Sequence, residues 1–214
     1  MPLLVNELFF SIQGESTHAG LPCAFVRLTG CNLRCAWCDT RHAYEEGERM
    51  AVADVVSTLV KYGSKLVEIT GGEPLLQKET PELARALLRA GRTVLVETNG
   101  SLDIGVLPTG AVAVMDVKCP GSGEADCFDP GNLGRLRPLD EVKFVLADRV
   151  DYEYALDMLA ALRRRAESPV AVHFSPVHGA LDPAELARWM LEDNVSARLA
   201  FQLHKAVWGD VKGV

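Results

Sequence analysis

The chain has 214 residues, 48% of them hydrophobic and 24% charged, a balance that suits one globular domain over residues 1–214. Its 22 Lys and Arg against 29 Asp and Glu leave a net charge of −7, which argues against a general nucleic-acid surface and for a small-molecule partner. No stretch approaches the roughly 20 apolar residues of a membrane helix. Residues 1–7 lack a basic region before an apolar one, so no signal peptide is expected, and the six cysteines are expected in the reducing cytoplasm.

Residues 23–29 are apolar and β-leaning and run into a cysteine-rich loop. Residues 52–62 have helical spacing, and 66–70 form a short strand ending in Gly71-Gly72. Residues 81–90 are helical, with Thr80 as N-cap and Gly91 as the stop. Strands are expected over 93–98, ending at Asn99-Gly100, and over 111–117, ending near Lys118. Residues 124–138 are loop-like. A strand over 141–147, a long helix over 151–167, a strand over 169–174, a helix over 183–192 and a last strand over 198–202 complete the chain. Alternation of strands and helices predicts parallel βαβ units, and about six strands are too few for a closed eight-stranded barrel. The expected fold is α/β, an open partial parallel barrel with ligands at the carboxyl ends of its strands.

The most telling residues are Cys31, Cys35 and Cys38, three thiols within eight residues. Three ligands cannot close a tetrahedral zinc site, but they leave one iron of a four-iron cluster open for chemistry. Cys23 reads as a small buried thiol in a strand. Cys119 and Cys127 are too few for a second cluster, and Cys119 is expected as a plain residue near the cofactor pocket. His18, His42 and His178 show no pattern and are expected in solvent.

The spacing Cys-x3-Cys-x2-Cys, with Trp37 before the third cysteine, resembles the cluster loop of the radical S-adenosylmethionine enzymes, and Thr70-Gly71-Gly72-Glu73-Pro74 is similar to their GGEP motif. That resemblance implies a partial α/β barrel with a 4Fe–4S cluster on the three cysteines and S-adenosylmethionine on the open iron. One electron from the cluster then releases methionine and a 5′-deoxyadenosyl radical, which takes a hydrogen atom from substrate. The glycines at 71 and 72 are read as allowing close backbone approach to the ligand. By resemblance the cofactor set is Trp37, Cys38, Asp39, Gly71, Gly72, Glu73, Thr98, Asn99, Asp116, Val117, Lys118, His173, Ser175 and Pro176. A lysine such as Lys118 can pair with the methionine carboxylate. Asp116 and Lys118 read equally as a surface ion pair, and Ser175-Pro176 as an ordinary turn.

A narrower resemblance lies at the two ends. Phe10-Ser11-Ile12-Gln13-Gly14-Glu15-Ser16, Gly20–Leu28, Cys38-Asp39-Thr40 and Gln202-Leu203-His204-Lys205 are similar to the 7-carboxy-7-deazaguanine synthase family, most weakly between 121 and 139. The resemblance implies ring contraction of 6-carboxy-5,6,7,8-tetrahydropterin with loss of ammonia, in queuosine and 7-deazapurine biosynthesis. It implies magnesium, a homodimer and an electron donor such as flavodoxin or ferredoxin. Substrate contacts are expected from Ile12, Gln13, Gly14, Glu15, Arg27, Thr70, His204 and Val214.

Residue chemistry suits such a substrate. A carboxylate such as Glu15 can accept two N–H bonds from a guanidine-like edge. Arg27 can fork with a carboxylate, though a structural carboxylate would also satisfy it. Thr40 offers a hard oxygen for magnesium, or a turn cap. Taken alone, Gln13-Gly14-Glu15 is a polar turn and Trp37 a core residue.

Two other readings compete. An activating enzyme for a glycyl-radical partner shares the cysteine spacing but needs a groove for a large protein. A non-catalytic iron–sulfur or zinc protein needs a fourth ligand, for which Cys23 is the candidate.

Overall fold

A computed structural model of the chain describes residues 1–165, 169–209, 211 and 213. In chain order the elements are β1 (Leu3–Ile12), β2 (Pro22–Leu28), β3 (Glu48–Met50), α1 (Val52–Lys61), β4 (Leu66–Gly71), α2 (Thr80–Arg89), β5 (Thr93–Thr98), β6 (Ala111–Asp116), β7 (Glu141–Leu146), α3 (Arg149–Arg165), β8 (Ala171–Pro176), α4 (Pro183–Glu192), β9 (Arg198–Leu199) and α5 (Leu203–Trp208). Among the described residues they build one nine-stranded sheet in the order β3-β1-β2-β4-β5-β6-β7-β8-β9. From β2 to β9 every pairing is parallel, while β1 and β3 are antiparallel additions at one edge. The expected strand ranges correspond to the parallel body β2 and β4 to β8, and the last of them to β9, shortened to two residues.

Strand periodicity sorts the side chains into two faces. Val67 and Ile69 on β4, Val94 and Val96 on β5, Ala113 and Met115 on β6, and Val142 and Phe144 on β7 share the main core with the helices. Their alternates face the other way. At the base, Cys23, Phe25, Leu66, Leu95, Val112 and Val114 form a second, small apolar cluster. Above it the same face carries Arg27, Glu68, Thr70, Glu97, Asp116 and Lys143, which line a cavity. A strand with one apolar face and one polar inner face therefore places charge inside the fold.

Several expected boundaries shift. Thr80 does not cap α2: it is the first helical residue, and its hydroxyl donates to Pro74 O at 2.5 Å. Gly91 ends that helix at φ +73, where a side chain would be strained. The expected end of the long helix at Glu167 lies outside the described residues, and its start moves to Arg149. The stretch between β6 and β7, of which 124–138 was read as loop, forms three short 3-10 turns (Pro120–Ser122, Ala125–Cys127 and Pro130–Gly134) that take the place of a crossover helix. No helix among the described residues is long and apolar enough to cross a membrane.

Candidate active site

The cysteine loop leaves β2 through Gly30, whose φ of +102 turns the chain over the end of β4. Gly72 N donates to Leu28 O at 3.1 Å and Glu73 N to Gly30 O at 2.7 Å. A Cβ on Gly72 would overlap Gly30 O and lie 2.8 Å from Cys31 Cβ, and one on Gly71 would overlap Leu28 O. The paired glycines thus admit the protein's own cysteine loop, a closer neighbour than any ligand, although both also border the cavity. The far side of the loop is tied down by Ala36 N to Ser122 O at 3.0 Å and by Arg34 N to Glu124 Oε1 at 2.6 Å.

Cys31, Cys35 and Cys38 all line the cavity and are half-buried. Burial raises the Cys31 thiol above its ordinary range and pushes Cys35 up to about 11, so both are protonated until a metal takes the sulfur. Among the described residues, no three His, Cys, Asp or Glu side chains converge on one point as a single-ion site requires. A four-iron cluster takes each thiolate on its own iron and needs no such convergence. Three cysteines facing one cavity beside a glycine-lined wall fit that group. Cys23, the candidate fourth ligand, is buried in the base cluster and its thiol points to Ala24 O. Cys119 also sits in the core, away from the cavity walls.

The cavity, of about 390 Å³, spans the inner face from the cysteine loop to the β1–β2 turn. Trp37, Asp39, Thr40, Gly71, Gly72, Thr98, Asn99, Asp116 and Lys118 all line it. Glu73 does not. It is fully buried and accepts from Leu75 N at 2.9 Å, Thr98 Oγ1 at 2.9 Å and Asn99 N at 2.7 Å, so it fixes the end of β5 from behind. Asp116 and Lys118 are no surface pair: both are largely buried, 2.8 Å apart, and Asp116 Oδ1 has no hydrogen-bond partner among the described residues. Thr40 caps nothing; its hydroxyl lies 3.7 Å from Cys38 Sγ.

Four further expected cofactor positions do not line the cavity. Val117 is buried in the core. His173 is buried with Nε2 2.7 Å from Glu141 Oε2, in a cluster that also receives the Thr17 hydroxyl at 2.6 Å. Ser175 and Pro176 are buried, while the next two residues, Val177 and His178, reach the cavity. Val214 lies outside the described residues.

Ile12, Gln13, Gly14, Glu15, Arg27, Thr70 and His204 line the cavity as well. Most are already engaged. Gln13 is buried, donates its amide to Glu68 and accepts from Glu15 N at 3.0 Å. Burial raises the Glu68 carboxyl well above the carboxylate range, with Glu97 adding to it. Glu15 Oε2 meets Lys143 Nζ at 2.5 Å, and its Oε1 accepts from Gln202 Nε2 at 3.0 Å. Arg27 lines the cavity and pairs through Nε with Glu7 at 2.6 Å across the β1–β2 pair, and its terminal nitrogens have no hydrogen-bond partner among the described residues. Thr70 donates to Glu97 Oε2 at 3.0 Å.

The chain's C-terminal part packs on both Gly14 and the cysteine loop. Leu203 N donates to Gly14 O at 2.9 Å, Lys205 pairs with Asp39 at 2.6 Å, and a Cβ on Gly14 would overlap the His204 ring. Burial lowers the His204 imidazole below its ordinary range. Burial opposes ionisation of Asp39, but Lys205 carries its carboxyl below the usual value.

Lys143, Glu97, Glu68, Glu7 and His42 line the cavity, and of these only Glu97 stood, with Thr98 and Asn99, in a run read from the sequence as a cofactor contact. His42 is half-buried with Nε2 3.6 Å from Glu7, not in solvent. The signal for the first three was a charged residue at an inner-face register position of an otherwise apolar strand. Glu7 and His42 carried no comparable signal.

A model of the Radical SAM superfamily matches residues 25–109. The chain is 42% identical to the 7-carboxy-7-deazaguanine synthase of Koribacter versatilis, over 98% of this chain and 99% of that one. It is 41% identical to that of Chlorobaculum tepidum, over 100% and 98%. The chain belongs to the 7-carboxy-7-deazaguanine synthase family. Its fold agrees: the crystal structure of QueE from Escherichia coli matches with a TM-score of 0.77 at 25% identity, over 94% of each chain. Streptococcus suis SuiB bound to S-adenosylmethionine shares the fold alone, with a TM-score of 0.58 at 16% identity over 82% of this chain and 49% of that one. As a radical S-adenosylmethionine synthase of this family, the chain uses a 4Fe–4S cluster and S-adenosylmethionine.

Proposed function

We propose that this chain converts 6-carboxy-5,6,7,8-tetrahydropterin to 7-carboxy-7-deazaguanine with loss of ammonia, with magnesium as a further cofactor. The observation that carries the reading is one cavity lined both by the three cysteines and by Arg27 and Glu15. Full-length similarity to synthases of that name supports it.

When bound, the cluster and S-adenosylmethionine supply a radical that takes a hydrogen atom from the substrate. The chain's own residues bind, orient and exclude water. Arg27 is held by Glu7 through Nε, so its terminal nitrogens are set to fork with the substrate carboxylate. Thr40, which lines the cavity beside Cys38, provides one hydroxyl oxygen for magnesium, which commonly keeps several waters. Trp37, Asn99 and the Asp116–Lys118 pair surround the cofactor's place, where Asp116 Oδ1 has an acceptor to spare. The same reading includes an electron donor such as flavodoxin or ferredoxin, a homodimer and a cytoplasmic setting.

The test is anaerobic turnover of the reconstituted protein with reductant, S-adenosylmethionine, magnesium and the tetrahydropterin, followed by mass spectrometry. Formation of 7-carboxy-7-deazaguanine with little net loss of S-adenosylmethionine is expected. Slow release of 5′-deoxyadenosine with the pterin intact would overturn the substrate assignment.

A further inference from the structure

Lys143 stands on the inner face of β7 with a side chain only 6% exposed. Its Nζ lies 2.5 Å from Glu15 Oε2, 2.5 Å from Glu97 Oε1 and 3.6 Å from Asp116 Oδ2. These carboxylates come from the β1–β2 turn, from β5 and from β6, so one ammonium ties three separate elements. Burying a charged network is a poor way to gain stability, since apolar side chains of similar volume do as well or better. Its placement in the cavity wall calls for a functional account.

The hydrogen-bond inventory gives one. Glu15 uses one acceptor position on Lys143 and one on Gln202. Glu97 uses one on Lys143 and one on Thr70. A carboxylate has about four acceptor positions, so about two remain on each. We propose that Lys143 is a positioning residue for the substrate: it clamps Glu15 and Glu97 side by side as one acceptor wall for the donor-rich edge of the heterocycle. This rests on the functional reading above and extends it to a residue outside the substrate motifs.

Without the clamp, two neighbouring carboxylates face each other with no counter-ion, and one must take up a proton or move away. Burial works against the charge of Lys143, yet Glu15, Glu97 and Asp116 lift its ammonium well above the ordinary lysine range. Burial likewise works against Glu97, and Lys143 brings its carboxyl down to about 2. Beyond the three direct partners, Lys143 is faced by Glu68 on β4, Lys118 after β6 and Asp39 of the cysteine loop, with the Glu141–His173 pair beside it on β7 and β8.

The test measures binding of 6-carboxypterin to the cluster-loaded, S-adenosylmethionine-bound protein with magnesium and no reductant. This aromatic analogue has no hydrogen at C6 to lose, so binding is read apart from chemistry. Lys143→Met is expected to weaken binding about tenfold or more at neutral pH, the scale of a broken buried charge pair. Its binding should strengthen as pH rises from 5.5 to 7.5, because the shared proton must leave, while the parent stays level. Binding within twofold of the parent, or a parallel pH profile, would overturn the proposal. Should Lys143→Met not fold, the double variant Lys143→Met/Glu97→Gln removes one charge of each sign and takes its place. Weakened binding with a level pH profile is then expected, and parental affinity would overturn the clamp. A parent that neither binds the analogue nor turns over the tetrahydropterin overturns the functional reading and this proposal together. A competent parent with an indifferent Lys143→Met removes only the role of Lys143.

Discussion

Gly72 shows how little room the cysteine loop has. Adding one methyl group there drives into Gly30 O and Cys31 Cβ, both of them main-chain or near main-chain atoms that cannot swing aside. Gly72→Ala is expected to destabilise the protein by about 1–3 kcal/mol, the usual cost of overpacking, and to lower cluster incorporation. Iron and sulfide per chain and the visible absorbance of the reconstituted protein check this. Gly134→Ala, where nothing lies within 4 Å of the added carbon, should leave both unchanged. Arg27→Lys keeps the charge but loses the fork; weaker substrate binding by about 1–3 kcal/mol is expected, read as a rise in KM. The cysteine spacing was legible because its three ligands are local in sequence. The Glu7 partner of Arg27 and the inward grip of Glu73 were not, since each depends on a pairing between strands that no local pattern encodes.

At the scale of elements, the parallel strands were readable from their apolar runs and glycine-marked ends. β1 was not read as a strand, because Asn6 and Glu7 interrupt its apolar run where the register shifts between Val5 and Glu7. The turn at Pro130–Gly134 reads as loop, yet Asn132 inside it is fully buried and donates to Gly100 O at 3.0 Å and Leu102 O at 2.8 Å. Its Oδ1 also accepts from Ile104 N at 3.2 Å. Asn132→Ala strands three buried backbone groups, so a loss of about 2–4 kcal/mol is expected, measurable by denaturant unfolding. The cost should extend to cofactor binding, since the latched segment directly follows Asn99. The short α5 depends on its ties more than on helix propensity. Lys205→Met removes the pairing with Asp39, and faster proteolytic cleavage after residue 199 with an unchanged melting temperature is the expected signature.

Over the whole molecule, the inner-face charges set a pH dependence. Glu97 is held near 2 in the folded chain, against about 4.3 for a free glutamate. Its folded value is depressed, so its contribution to stability is present above the unfolded pKa and is lost as pH falls through about 4 towards 2. Glu141, drawn down by His173 and Thr17 against its burial, adds in the same direction. Thermal unfolding of the apo protein should therefore drop steeply below pH 4. Glu97→Gln should flatten that limb; an equally steep curve would count against the assignment. The open parallel body was legible from strand–helix alternation. The crossover between β6 and β7 was not, because a run of short turns held by remote side chains has no periodicity to read.

The two-faced strands also limit how this chain can change in length. One residue inserted into β7 ahead of Lys143 would carry its ammonium to the helix side and swing Phe144 into the cavity, and the same exchange would follow in β4, β5 or β6. Insertions and deletions are therefore confined to the connections, and a variant that gains or loses a residue within these four strands should lose its core and its charge cluster in one step.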